Sequence, residues 1–296
     1  MKNLKLLLVS LAILFSHNLT MGQGPKDGKN EKSPVKSALN AFKFRSIGPA
    51  FMSGRIADIA IDPKNENVWY VAVGSGGVWK TENSGTTWTP LADNMPFYST
   101  GCITIDPHNN ASIWLGTGEN VGGRHVGIGH GVYHSKDGGK SWKDMGLKKS
   151  EHISKIIVHP DDPNTVWVAS QGPLWSPGGE RGLFKTTNGG KTWKNTLDIN
   201  EWTGVTDLVI DPNNPNILYA ASWQKHRNVA ALIGGGPGTS LYKSVDGGDN
   251  WSKIDKGLPK SNKGKIGLAI SPMQPNVLYA AVELDKRAGA VYRSDN

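Results

Sequence analysis

Along most of the chain apolar and polar positions alternate in short runs rich in Val, Ile, Thr, Tyr and Trp, and clusters of Asp, Asn, Pro and Gly bound each run. That pattern predicts half-buried β-strands separated by tight turns. The runs recur as two hairpin units. The first reads IDPKNENVWY, IDPHNNASIW, VHPDDPNTVW, IDPNNPNILY and ISPMQPNVLY, and an aromatic residue (Tyr70, Trp114, Trp167, Tyr219, Tyr279) always falls seven positions after a proline (Pro63, Pro107, Pro160, Pro212, Pro272). The fixed offset places it in register on the strand after an Asp/Asn-Pro turn. The second reads GVWKTENSGTTW, GVYHSKDGGKSW, GLFKTTNGGKTW, SLYKSVDGGDNW and, cut short, AVYRSDN. Its first aromatic (Trp79, Tyr133, Phe184, Tyr242) and its terminal tryptophan (Trp88, Trp142, Trp193, Trp251) are nine residues apart in every complete copy.

From each box tryptophan to the next proline the interval is 19, 18, 19 and 21 residues, whereas from the first hairpin's aromatic to the second's it is 9, 19, 17, 23 and 13. One loop per repeat therefore absorbs most of the variation in a period of 44 to 60 residues. Four short strands at this period make one blade of a β-propeller. The fold class expected is all-β, a β-propeller of four-stranded blades, with four blades and most of a fifth in residues 42–296. Blade one is expected as A at Ile56–Ile61, B at Val68–Val73, C at Val78–Thr81 and D at Thr87–Leu91. The B–C and D–A loops leave the blades at one end, the end where length varies. Because the fifth copy stops before its Gly and Trp, the propeller is expected to be incomplete here and further domains are expected C-terminal to residue 296, with Phe42-Lys43-Phe44-Arg45 as an outer strand for a last blade.

The second hairpin carries Ser/Thr-x-Asp/Asn-x-Gly-x-x-Trp. Its Asp or Asn (Asn83, Asp137, Asn188, Asp246) accepts backbone N–H groups across the turn, its Gly (Gly85, Gly139, Gly190, Gly248) takes positive φ, and its Trp fills the space between blades. The motif is identified as the Asp-box, or BNR repeat, of sialidases, sortilins and several glycoside hydrolases. A group needed once per blade is a folding device, so Asp137 and Asp246 are not expected to be catalytic. More widely, FRSIGPAFMSGRIADIAIDP, AVGSGGVWKT, TGENVGGRH, QGPLWSPGGERGLFKTT and NEWTGVTDLVIDP make residues 42–296 resemble the long secreted bacterial proteins labelled sortilin N-terminal-like or glycosyl hydrolase BNR-repeat proteins. The resemblance implies a large propeller followed by further domains. In xyloglucanase-type hydrolases with the same repeats, it implies a catalytic Asp just before a Gly-Gly in the first blade's B–C loop; the matching stretch here, Val73-Gly74-Ser75-Gly76-Gly77, has no carboxylate. Phe44-Arg45-Ser46-Ile47-Gly48-Pro49 is only loosely similar to the entry motif of sialidases.

Composition changes this picture little. Of the net charge of +8, residues 1–45 hold eight Lys/Arg against two acids, leaving 25 against 23 beyond them. The repeat region is nearly neutral, which argues against the basic face that nucleic acids need. Lys2 and Lys5 precede an apolar run from Leu6 to Phe15, which predicts a signal peptide over residues 1–22, cleaved before Gln23, and secretion to the periplasm, the cell surface or the medium. Residues 23–41 read as a flexible Lys-rich leader. No transmembrane segment is expected in the mature part. A single cysteine, Cys102, excludes intramolecular disulfides and cysteine-rich metal sites.

Candidate chemistry gathers in the variable loops. Arg55, Arg124, Arg181, Arg227 and Arg287 fall there, one per blade, with Asn120, His125, Trp175, Trp202, Trp223 and His226 beside them. Aromatic platforms flanked by Arg and Glu suit a peptide, a protein or a glycan. The ligand-binding candidates are Arg55, Asn120, Arg124, His125, Trp175, Arg181, Trp202, His226 and Arg227. Glu119, Glu180 and Glu201 are the carboxylates able to serve as acid or base. Ion pairing between blades and loop packing use the same residue types. No metal is expected at His130 and His134, which flank a strand, and no cofactor, because Gly234-Gly235-Gly236-Pro237-Gly238 lacks the lysine of a phosphate loop. Three readings follow: a secreted binding platform, a glycoside hydrolase using those Glu residues, and a purely structural surface module.

Overall fold

A computed structural model of the chain describes residues 54–284 and 288–295. The expected signal peptide, the leader, the Phe42–Arg45 strand and Arg287 lie outside them. The rest is built of antiparallel β-meanders, each following one copy of the repeat. Blade one is β1 (Ile56–Ile61), β2 (Trp69–Val73), β3 (Gly77–Thr81) and β4 (Thr89–Pro90), paired in that order. Blade two is β5 (Thr100–Asp106), β6 (Asn109–Thr117), β7 (Val132–Ser135) and β8 (Lys143–Asp144). A 3-10 turn at Lys148–Ser150 leads to blade three, β9 (Ile153–Val158), β10 (Val166–Ser170), β11 (Gly182–Thr186) and β12 (Lys194–Leu197). Blade four starts with β13 (Thr203–Ile210) and β14 (Leu218–Gln224), inserts a ribbon of β15 (His226–Arg227) and β16 (Leu232–Ile233), and finishes with β17 (Leu241–Ser244) and β18 (Ser252–Ile254). Blade five has three described strands, β19 (Lys263–Ile270), β20 (Leu278–Leu284) and β21 (Gly289–Ser294).

The four strands of blade one fall where the periodicity places them; the first matches at both ends, the second starts one residue later, the third one earlier, and the fourth is trimmed at both ends. The fourth starts at Thr89 and not at Thr87, because the Thr87 N–H is held by Asn83 Oδ1 at 2.9 Å and so belongs to the turn.

First strands of successive blades lie side by side, β1 by β5, β5 by β9, β9 by β13 and β13 by β19. Each has a register break near its start, between Ile56 and Asp58, Thr100 and Cys102, and Val205 and Asp207, for example. Such a bulge frees a residue from the ladder, as it does Ser154. A side-chain to backbone hydrogen bond from the first strands crosses every joint, at the other three from residues that stay in register. Asp58 Oδ2 accepts from Ile103 N (3.1 Å), Thr104 Oγ1 donates to Ile156 O (2.8 Å), Ser154 Oγ to Val205 O (3.2 Å), and Asp207 Oδ2 accepts from Leu268 N (2.7 Å).

The apolar core is divided among these joints as four layers, one between each pair of blades. Both invariant aromatics serve the joints, which explains why their spacings do not drift. Tyr70 and Trp167 donate across to Gly138 O (3.4 Å) and Gly247 O (3.0 Å) in the next blade's hairpin. In return Trp142 and Trp193 donate back to Leu91 O (3.0 Å) and Met145 O (2.7 Å) of the preceding blade.

Candidate functional site

A–B and C–D turns share one end of each meander, so B–C and D–A loops must share the other. The C–D hairpins are hydrogen-bonded internally. Ser135 Oγ donates to Asp137 Oδ1 (2.8 Å), while Asp137 accepts Ser141 N (2.9 Å) and Ser141 Oγ (2.6 Å). The Ser141 hydroxyl first, then its amide and Ser135, hold the Asp137 carboxyl down to about 2, and Asn250 and Ser244 keep Asp246 well below the usual carboxylate range. Both stay ionised at neutral pH, which suits a turn brace and not a general acid.

At the opposite end, the loops converge where the first strands begin and the second strands finish. Glu119, two residues beyond β6, is 2% exposed. Its carboxylate pairs with Arg55 from the start of blade one and accepts Ser75 Oγ at 2.6 Å. The fit needs glycine at position 74, since a Cβ there would lie 2.9 Å from Glu119 Oε1. The carboxylate missing from Val73–Gly77 is thus met by one from the adjacent blade.

Asn120 follows and faces the other way. Its Nδ2 donates to Gly101 O (2.9 Å), and its carbonyl accepts Gln171 Nε2 (3.2 Å) and Lys265 Nζ (2.6 Å). Gln171, fully buried, also donates to Thr206 Oγ1 (3.1 Å) and accepts Lys225 Nζ (2.5 Å). One polar hub thereby ties blades two, three, four and five. Lys225 is completely buried, and among the described residues no carboxylate lies within ion-pair distance of it. Burial, with Arg181 and Lys265 adding like charge, pushes its ammonium well below the usual lysine range. His152, also buried, is lowered to about 3 by burial and by Lys225. Lys265 and Lys225 both lie over the Trp223 ring, at 5.4 and 5.2 Å from its centroid.

Arg181 is 3% exposed and points into its own loop, where it donates to the carbonyls of Gly178 (2.8 Å), Gln171 (2.8 Å), Ser176 (2.7 Å) and Pro173. Burial lowers it to about 10, against the pull of Glu151 and Glu201. It shapes the loop that presents Trp175, which is exposed. Glu180 Oε2 accepts the Lys149 N–H (2.7 Å), and the Glu201 backbone carbonyl accepts Gly178 N (2.8 Å). Trp202 packs on His226 with ring centroids 4.2 Å apart. Arg227 is 9% exposed; its backbone N–H reaches Leu174 O (2.9 Å), and its buried Nε has no acceptor among the described residues. Arg124 and His125 are exposed and make no hydrogen bond, ion pair or ring contact among the described residues.

The structure therefore joins Arg55 to Glu119 and Trp202 to His226, sets Arg227 beside the Trp175 loop, and leaves Arg124 and His125 open to solvent. Gln171, Lys225, His152 and Lys265 are absent from the sequence-derived set. Their signal lay in the repeat register, since Gln171 and Lys225 follow the invariant aromatics Trp167 and Tyr219 by four and six residues, where blade one has Gly74 and Gly76.

The family model described as sortilin, neurotensin receptor 3 (Sortilin-Vps10) matches residues 130–288. Among curated proteins, the probable oligoxyloglucan-reducing end-specific xyloglucanase of Neosartorya fischeri is 23% identical over 240 residues, 74% of this chain and 26% of that protein. The photosystem II stability/assembly factor HCF136 of Oryza sativa subsp. japonica is 29% identical over 194 residues, 56% of this chain and 41% of its own. Among solved structures, an ancestral GH74 enzyme superposes with a TM-score of 0.62 at 24% identity over 82% of this chain and 30% of that one, a likeness of fold. The chain spans about a quarter to a third of the length of the curated xyloglucanases from Neosartorya fischeri and Hypocrea jecorina.

Proposed function

This chain belongs to the Sortilin-Vps10 family, and from that premise we propose that it is a secreted propeller whose B–C and D–A loop face binds a peptide, protein or glycan ligand. The observation that carries the reading is the state of Glu119. The most deeply seated carboxylate of the face is buried and held by a cation and a hydroxyl, so it is engaged as a brace between blades one and two. Trp175, Arg124 and His125 stand exposed on the same loop face, aromatic and cationic groups suited to stacking on one ligand group and hydrogen-bonding another. Arg181 and Gln171 hold the loops in place and need no ligand to order them. Relatives that include an assembly factor as well as hydrolases support binding as the shared property.

A glycoside hydrolase is the second reading. It is favoured by the contact between Glu119 and Ser75, which sets a carboxylate against the loop where the xyloglucanase resemblance implies one. Hydrolysis of this kind takes two carboxyl groups; Glu180 and Glu201 are the candidates for the second. Screening the secreted protein against glycan and peptide arrays, with sugar release measured in parallel, separates the two. Binding without release, kept in Glu180→Gln and lost in Arg124→Ala and Trp175→Ala, is expected. Release of sugar that disappears in Glu119→Gln, with the fold intact, would replace the binding reading by the hydrolase.

A further inference from the structure

The joint between blades two and three differs from its neighbours at the hairpin end. In blade one, Lys80 of the third strand pairs with Glu82 at 2.6 Å, and Lys140 of the next blade's hairpin lies near that acid. In the joint between blades three and four, Lys185 crosses to Asp249 at 3.0 Å. Both joints balance their cations with a carboxylate.

At the joint between blades two and three, the repeat substitutes all three positions. His134 stands for Lys80, Lys136 for Glu82, and Lys191 occupies the place of Asp249. No ion pair can form, and a groove of about 650 Å³ remains, lined by Asn109, Trp142, Lys136, Lys143, Asn164 and Lys191 among others. All three lysines are exposed, and among the described residues none has a hydrogen bond or ion pair. The one carboxylate on the floor, Asp106, already accepts His108 N (2.9 Å), His108 Nδ1 (2.8 Å) and Ser112 Oγ (3.1 Å). His134 lies flat on Trp114, ring centroids 4.1 Å apart, and its Nε2 meets Ser112 Oγ at 2.8 Å. Burial and then Lys136, with Lys143 further off, lower it to about 4 against the pull of Asp106. The imidazole therefore adds no charge near neutral pH, and the positive field in the groove is that of the lysines.

We propose that this groove binds an acidic saccharide, a sugar bearing a carboxylate or a sulfate, with the anion among Lys136, Lys143 and Lys191 and the sugar against the rim formed by Trp142, Asn109 and Asn164. Three unpaired ammonium groups around one concavity favour an anion. An indole beside two carboxamides selects a pyranose over a bare anion, offering an apolar face and hydroxyl partners together. The groove lies at the opposite end of the blades from the loop face, so it stands or falls separately from the function proposed above.

The test is equilibrium binding of the full chain to tetragalacturonate and to a heparin tetrasaccharide, with cellotetraose and hexaglutamate as counterprobes, at low and high salt. Binding of one acidic sugar on the order of tenfold tighter than either counterprobe, weakened by salt, is expected. Lys143→Ser and Lys191→Ser should each weaken it, while Lys260→Ser, exposed and outside the groove, should leave it unchanged. His134→Lys combined with Lys191→Asp, which rebuilds the ion pair of the neighbouring joint, should close the groove and abolish binding at an unchanged thermal midpoint. Equal affinity for cellotetraose, equal affinity for hexaglutamate, no binding of either acidic sugar, or insensitivity to the two serine substitutions overturns the proposal.

Discussion

Lys225 shows most sharply how one side chain couples the inner hub to solution conditions. It is held by Gln171 and Trp223 and, among the described residues, is paired with no acid, so the folded state disfavours its ammonium form. Its pKa is lower folded than unfolded. Between the two values the unfolded chain carries a proton that the folded chain lacks, and stability rises with pH through that window, by at most about 1.4 kcal/mol per unit for one group. His152, lowered to about 3, stops contributing once the unfolded histidine is neutral, so above about pH 7.5 the rising slope comes from Lys225 and, less deeply buried, Lys265, offset in part near pH 9 by the Cys102 thiol, whose pKa burial pushes up. Urea midpoints of the wild type should climb between pH 7.5 and 9.5, and those of Lys225→Met should climb less. Equal slopes would mean that the amine stays charged in place. Nothing in the local sequence reveals this. Ser-Trp-Gln-Lys-His-Arg reads as an exposed loop, and only the ribbon of β15 and β16 and the proximity of blade three bury its lysine. The partner of Glu119 was hidden for a related reason. Its loop and its type are legible as a candidate acid, but its cation, Arg55, is 64 residues away, and nothing local in the sequence joins the two.

The hairpins were the most legible elements because their interactions are local. Three hydrogen-bonding side-chain positions within seven residues specify the turn, and the same contacts recur in each copy. The bulged first strands were the least legible, since a bulge depends on what the neighbouring blade offers. Asp58 and Asp207 look like polar positions on an alternating strand, yet each accepts an amide from the blade beside it. The contrast predicts different responses to mutation. Asp137→Ala leaves the Ser141 hydroxyl and amide to water and the buried Ser135 hydroxyl without its acceptor, at an expected cost of about 1 kcal/mol. Gly139→Ala is worse. The residue sits at φ 89°, and its new Cβ would lie 2.5 Å from Leu91 Cδ1 in the preceding blade, so a loss of about 2 kcal/mol or more is expected. Thermal midpoints rank the two, and neither change should alter binding at the loop face. A larger loss from Asp137→Ala than from Gly139→Ala would show that the turn is braced by charge more than by backbone geometry.

For the molecule as a whole, the decisive feature is that each described blade packs against its sequence neighbours through one apolar layer and one inner-strand hydrogen bond. Stability in such an array is approximately a sum over joints, and a defect in one joint should be felt most in the two blades that share it. Leu208 is suited to the test, being fully buried in the layer between blades three and four with Trp167, Leu183 and Leu218. Leu208→Ala removes that packing and leaves a void, at about 2–5 kcal/mol. Hydrogen exchange should then speed up in β10, β11, β13 and β14, while β5, β6 and β7, which are sealed by the layers of Ile103 with Leu115 and of Cys102 with Ile153, keep their protection. The polar hub sets the opposite expectation. Gln171 and Asn120 bind four blades to one another near their inner ends, so loss of one hub member loosens every blade it ties. Loss of protection confined to blades three and four in Leu208→Ala, and extended to blade two when Gln171→Ala is added, would assign the layers to local stability and the hub to cooperation among blades. Uniform acceleration in Leu208→Ala alone would make the described blades a single unfolding unit and remove the case for independent joints.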